Sequence, residues 1–150
     1  VDLDWLTNGE QTHFHGDFIL DNIIKTKDGF TLIDWRQNFG GLMTAGDKYY
    51  DLAKLNHNLT VNHNIIHNEL YTVEVADEKV SVDIMRKQNL VDCQEVLFNF
   101  LNTQGYDAKK IKVLTAMIWL NIAPLHPTPF NYNLFLYYFG KYNLYKALQS

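Results

Sequence analysis

Between positions 15 and 35 the chain reads His15-Gly16-Asp17-Phe18-Ile19-Leu20-Asp21-Asn22 and then Leu32-Ile33-Asp34-Trp35. Asp17 and Asn22 stand five residues apart, with no room for a regular helix before the next β-prone run. A tight loop at that spacing turns both polar side chains into one cleft. Asp34 then emerges at the end of a returning strand. Hard oxygen donors that converge in this way suit magnesium held together with substrate phosphates. Neither a Cys pair nor a His cluster stands here, so zinc is not the favoured ion. Each residue also has a plainer reading. Asp17 could cap a helix or close a turn, Asn22 could serve a turn, and Asp34 could simply end a strand.

Other candidates carry less. His63 and His67 have the spacing that places two imidazoles on one helix face. The Glu of a metalloprotease motif is missing and no third ligand stands nearby, so a solvated helix face is the better reading. Arg36 could hold an acidic neighbour or reach a phosphate, and Trp35 could pack under the loop. The aromatic run Phe130, Tyr132, Phe135, Tyr137, Tyr138, Phe139, Tyr142 and Tyr145 could line a cleft for a cation. Aromatic residues at helical spacing more often belong to a core.

The elements that must position these residues follow from pattern. Ile23–Lys25 and Phe30–Ile33 are β-prone runs around Lys27-Asp28-Gly29, and Asp-Gly between apolar runs signals a hairpin. Residues 34–46 are Gly-rich and read as a loop. Apolar spacing predicts a helix from Asp47, its cap, to about Tyr71. Tyr71–Val75 and Val80–Ile84 predict a second hairpin. Helices are expected over about 88–103, 107–123 and 131–148. Gly105 ends the first, Asp107 caps the second, and Pro124, Pro127 and Pro129 break the chain before the third. The second is apolar almost all round and should be buried. The expected class is α+β, mainly helical.

Composition sets the outer limits. The chain has 150 residues, 47% of them hydrophobic and 14% aromatic, which excludes a disordered or collagen-like chain. With 13 basic and 17 acidic residues the net charge is −4, so nucleic acid is not an expected partner. One cysteine, Cys93, excludes a disulfide framework and permits a reducing, cytoplasmic compartment. The acidic start, Val1-Asp2-Leu3-Asp4, lacks the positive region of a signal peptide. Residues 113–140 hold no Lys, Arg, Asp or Glu, but the apolar run Val113–Ala123 is well short of the roughly 20 residues a membrane helix needs. No membrane partner is expected.

The motifs resemble the catalytic lobe of the aminoglycoside phosphotransferase and choline kinase group, which is similar in fold to protein kinases. Protein kinases read H-R-D-x-x-x-x-N and D-F-G at the corresponding places. Here Gly16 stands where Arg would, and Ile33-Asp34-Trp35 stands where D-F-G would. Gly46-Asp47-Lys48-Tyr49-Tyr50-Asp51-Leu52-Ala53 is similar to the family segment G-D-x-x-x-D-L-A. The motif part covers residues 13–53. The resemblance implies that Asp17 is the catalytic base and that Asn22 and Asp34 bind magnesium and the nucleotide. It further implies that Asp51 and His15 brace the catalytic loop.

The resemblance also implies a protein-kinase-like C-terminal lobe spanning 1–150. The N-terminal lobe, with its phosphate-covering loop and Lys, would lie in a longer chain. The implied activity is transfer of phosphate from ATP, with Mg2+, to a hydroxyl of a small molecule such as choline, ethanolamine, an amino sugar or a sugar. Only 16 residues separate Asp34 from Asp51 and no A-P-E motif follows, which speaks against a regulated protein kinase. A kinase-like scaffold without activity is the alternative, although a scaffold has no chemical need for Asp17, Asn22 and Asp34 together.

Overall fold

A computed structural model describes residues 1–126 and 129–150. Helix α1 (Leu3–Thr7) precedes a short strand β1 (Gln11–Thr12), and a single 3-10 turn at Leu20–Asn22 leads into β2 (Ile23–Thr26) and β3 (Gly29–Leu32). Strand β4 (Gly46–Asp47) opens directly into α2 (Lys48–Thr60), and the short α3 (His63–His67) follows. A second hairpin, β5 (Tyr71–Ala76) and β6 (Lys79–Ile84), precedes α4 (Gln88–Thr103), α5 (Ala108–Ile122) and α6 (Phe130–Gln149). Among the described residues the strands form three small antiparallel pairs, β1–β4, β2–β3 and β5–β6. The chain is therefore α+β and mainly helical, as its periodicities predict.

Both hairpins form where expected. In the first, Thr26 pairs with Gly29 across a two-residue turn, and Gly29 has φ 139°. In the second, Ala76 pairs with Lys79 and the turn residues Asp77 and Glu78 both have positive φ. That is the backbone a tight hairpin turn demands, here without glycine.

The helix predicted to run from Asp47 to Tyr71 is two helices. Thr60 ends the first, and Val61 points into the core with 1% exposure. Asn62 then caps α3, its Oδ1 accepting the Ile65 N–H at 3.2 Å. A side chain that satisfies the backbone locally competes with helix continuation, and here it wins. Of the three expected chain-breaking prolines, Pro124 sits in a 3-10 turn and Pro129 caps α6, while Pro127 lies outside the described residues.

Helix α5 is the central element, with Ile111, Val113, Ala116 and Trp119 nearly inaccessible. Its exposed positions, Lys109, Lys112, Met117 and Asn121, interrupt the all-round burial expected for it. Gly140 of α6 lies against it so closely that a Cβ there would meet Leu120 Cγ at 2.9 Å. The aromatic run of α6 divides. Tyr132 and Phe135 are core, packed on Tyr71 of β5, whereas Phe130, Tyr137, Tyr142 and Tyr145 are exposed. No helix among the described residues is long and apolar enough to cross a membrane.

The N-terminal segment is fastened to the start of α5. Lys110, 3% exposed, donates from Nζ to the carbonyls of Trp5 at 3.2 Å and Asn8 at 2.7 Å. Asp107 caps α5 through Oδ1 and accepts the Trp5 indole N–H through Oδ2 at 3.0 Å.

Candidate functional site

The loop 15–22 is held from below by α2. Asp51, in the first turn of that helix, accepts the His15 N–H at 2.6 Å and the Gly16 N–H at 2.8 Å, one on each carboxylate oxygen. One turn and two turns further along the same face stand Lys54 and Asn58, in keeping with 3.6 residues per turn. Asn58 Oδ1 accepts the Leu20 N–H at 3.0 Å. The loop thus rests on one polar stripe of α2. Gly16 has φ 80°, and a Cβ there would sit 2.6 Å from Arg36 Cβ. Only glycine lets the chain turn this tightly beside Arg36.

His15 is buried and serves the loop. Its Nε2 lies 2.9 Å from the Ile33 carbonyl, and its Nδ1 accepts the Asp17 N–H at 3.2 Å. These partners require a neutral ring with its proton on Nε2. The ring packs on Trp35, 4.8 Å between centroids. Across the same junction Arg36 donates its N–H to the His15 carbonyl at 2.9 Å, which ties the end of the β2–β3 hairpin to the loop.

Asp17 is therefore fixed at every backbone group, because its carbonyl accepts from Asn22 Nδ2 at 2.9 Å. Its carboxylate, 13% exposed, stands between two cations. Lys54 Nζ lies 2.7 Å from Oδ1 and Arg36 Nη2 lies 2.8 Å from Oδ2. Burial pushes the Asp17 carboxyl up, but the hydrogen bond and charge of Lys54, joined by Arg36, outweigh it and leave the group below its ordinary value. Asp17 is consequently ionised at neutral pH. The nearby Tyr50 phenol moves the opposite way, raised by burial and by the Asp17 and Asp51 charges.

Asn22 is buried, with 8% exposure, and its amide nitrogen is committed to Asp17. Its backbone carbonyl accepts the Ile33 N–H at 3.0 Å, so Asn22 and the residues beside Asp34 are neighbours across the hairpin. Asp34 is exposed and holds φ 58°, a left-handed backbone uncommon outside glycine. Neither Asn22 Oδ1 nor the Asp34 carboxylate is engaged by another side chain among the described residues. Both are hard oxygen donors of the kind magnesium takes. They do not form a protein cage, and no group of three or more His, Cys, Asp or Glu among the described residues is arranged to hold a metal.

The rings of His63 and His67 lie 6.4 Å apart, tilted by 45°, and His63 Nδ1 lies 3.3 Å from Asp21 Oδ1. This is an exposed helix face on which one imidazole lies beside a carboxylate. The residue that sequence reasoning missed is Lys54. Its position three residues after Asp51 was the available signal, since that spacing puts it on the face that carries the loop. No family model, curated protein or solved structure matches the chain.

Proposed function

We propose that this chain is the catalytic lobe of a small-molecule kinase, with a protein-kinase-like arrangement of its loop. It transfers phosphate from ATP to a hydroxyl of a small acceptor such as an amino alcohol or a sugar. One observation carries this reading. Asp51, His15 and Asn22 are each committed to the backbone of residues 15–17, so three polar side chains serve to aim a single carboxylate, that of Asp17.

In this reading Asp17 accepts a hydrogen bond from the acceptor hydroxyl and orients its lone pair toward the phosphoryl group. An ionised carboxylate at low proton affinity is suited to orientation and to taking the proton late, when the attacking oxygen has become acidic. Lys54 and Arg36 bring two positive charges to the place where phosphoryl charge must be neutralised, and in such reactions positioning and charge neutralisation supply most of the catalysis. Asn22 and Asp34 would hold magnesium, which supplies charge neutralisation on the nucleotide phosphates. Lys54 and Arg36 are both engaged by Asp17, so a further lobe has to cover the phosphates. A cytoplasmic location agrees with the need for ATP.

The double pairing of Asp17 also favours a second reading, an inactive kinase-like scaffold in which the ion pairs only stabilise the loop. The test is magnesium-dependent transfer from ATP to a panel of amino alcohols, amino sugars and sugars by the whole protein that carries this chain, followed by phosphorus NMR. Transfer that disappears with Asp17→Asn supports the kinase. Absence of transfer and of ATP hydrolysis for every acceptor favours the scaffold.

A further inference from the structure

On the side of α2 away from the loop lies a crevice of about 710 Å³, lined by α4, α5 and α6 together with Asn56 and Thr60 of α2 and Arg86 just after β6. That size falls within the roughly 300–1,000 Å³ of small-molecule pockets. On a helix of 100° per residue, Asn56 and Thr60 stand opposite the stripe of Asp51, Lys54 and Asn58. The crevice and the loop are therefore separate places on one helix.

Two buried donors at the crevice lack a partner among the described residues. Arg86 gives Nη2 to the Leu59 carbonyl at 2.9 Å, while its Nε–H is buried and has no partner among the described residues. No carboxylate pairs with Arg86 among the described residues. Trp119 is 3% exposed, and its indole N–H is likewise buried without a partner. Lys112 places its ammonium 5.3 Å from the centre of the Phe98 ring, which forms part of the wall, and it too has no carboxylate partner among the described residues. Among the side chains lining the crevice, Glu95 is the one carboxylate against Arg86, Lys112 and Lys146.

The side-chain oxygens of Asn56 and Thr115 are occupied. Gln94 Nε2 donates to Asn56 Oδ1 at 2.7 Å, and Asn56 Nδ2 donates to the Thr115 hydroxyl at 3.0 Å. A partly buried guanidinium without a counter-charge is unfavourable, and burial pushes the Arg86 pKa down. An anion would supply the missing acceptors and the missing charge. Val91, Phe98, Trp119 and Phe139 offer apolar walls to the remainder of such a molecule.

We propose that this crevice binds a small organic anion, a carboxylate or phosphate ester carried on an aromatic or aliphatic body, with the charged group between Arg86 and Lys112. The site is independent of the phosphotransfer reading.

Phenyl phosphate is the probe and phenol its neutral counterpart. Each is titrated into nitrogen-15-labelled protein while the indole N–H resonance of Trp119, assigned with Trp119→Phe, is followed. Phenyl phosphate should give a saturable shift at Trp119 and phenol none. Lys112→Gln, at an exposed position that leaves the fold intact, should weaken binding about tenfold, which corresponds to ~1.4 kcal/mol. The proposal is overturned by no saturable shift up to roughly 10 mM, beyond which binding is negligible. It is equally overturned by an equal response to phenol, by wild-type affinity in Lys112→Gln, or by a shift confined to Trp35, which would seat the anion at the loop.

Discussion

The carboxylate of Asp51 takes the backbone N–H groups of His15 and Gly16 at once, one on each oxygen. The two residues before Asp17 thus owe their geometry to a side chain 35 or more positions away. Asp51→Ala leaves two partly buried donors without an acceptor, at about 1–3 kcal/mol each before water replaces it. The variant should melt several degrees below wild type and show weaker amide protection at Gly16. Equal melting temperatures would show that Asp51 does not hold the loop.

Asp17→Asn should reduce phosphotransfer by several orders of magnitude, because the amide cannot take the hydroxyl proton or offer the same charge. It should also cost roughly 1–3 kcal/mol of stability, because Lys54, only 15% exposed, loses its counter-charge. The double variant Asp17→Asn/Lys54→Met should regain stability and stay inactive. Arg36 is 58% exposed and contributes little to that balance. Chemical denaturation of the three proteins, with transfer assays alongside, separates the two effects.

Asp34 predicts opposite signs for stability and activity. Its φ of 58° is a left-handed conformation that costs an L-residue about 1 kcal/mol. Asp34→Gly should therefore match wild type in urea or gain up to about 1 kcal/mol, since the residue is exposed and the strain disappears. The same variant should lose magnesium-dependent transfer. Wild-type turnover in Asp34→Gly would remove Asp34 from the metal site.

The pH dependence of stability should be governed by His57. Burial, then the Lys54 charge, pushes its imidazole from 6.5 down to about 3. The native ring stays neutral while the unfolded ring binds a proton below 6.5. Stability is fully present above that value and declines as pH falls toward 3, with a slope of up to about 1.4 kcal/mol per pH unit. Asp17, lowered as well, adds its own loss only at the acid end, through and below the carboxylate range. Urea midpoints at pH 7, 6, 5 and 4 should fall steadily for wild type and more gently for His57→Gln. Parallel lines for the two proteins would contradict this account.

Much of the architecture was legible because its signals are local. Asp28-Gly29 marks a hairpin, Asp107 marks a helix start, and the spacing of Asp17 and Asn22 marks a tight loop. The break at Val61 was not legible, since Asn62 reads as another polar position until its side chain is seen on the Ile65 N–H. Lys54 was overlooked because a lysine on a helix resembles a solvated charge, and only the docked loop turns it inward. The crevice draws on α2, β6, α4, α5 and α6, and no window of sequence contains such an arrangement. Among the aromatic residues of α6, core and surface differ only by rotation around the helix, which the crowded pattern of Phe and Tyr conceals.

The clasp of Lys110 and Asp107 on Trp5 and Asn8 has a kinetic consequence. With the chain pinned there and again at His15 by Asp51, residues 9–14 run between two anchors. The His15 amide, held by the Asp51 carboxylate, should therefore exchange with solvent only when the loop leaves α2, more slowly than the amides of an unanchored surface loop.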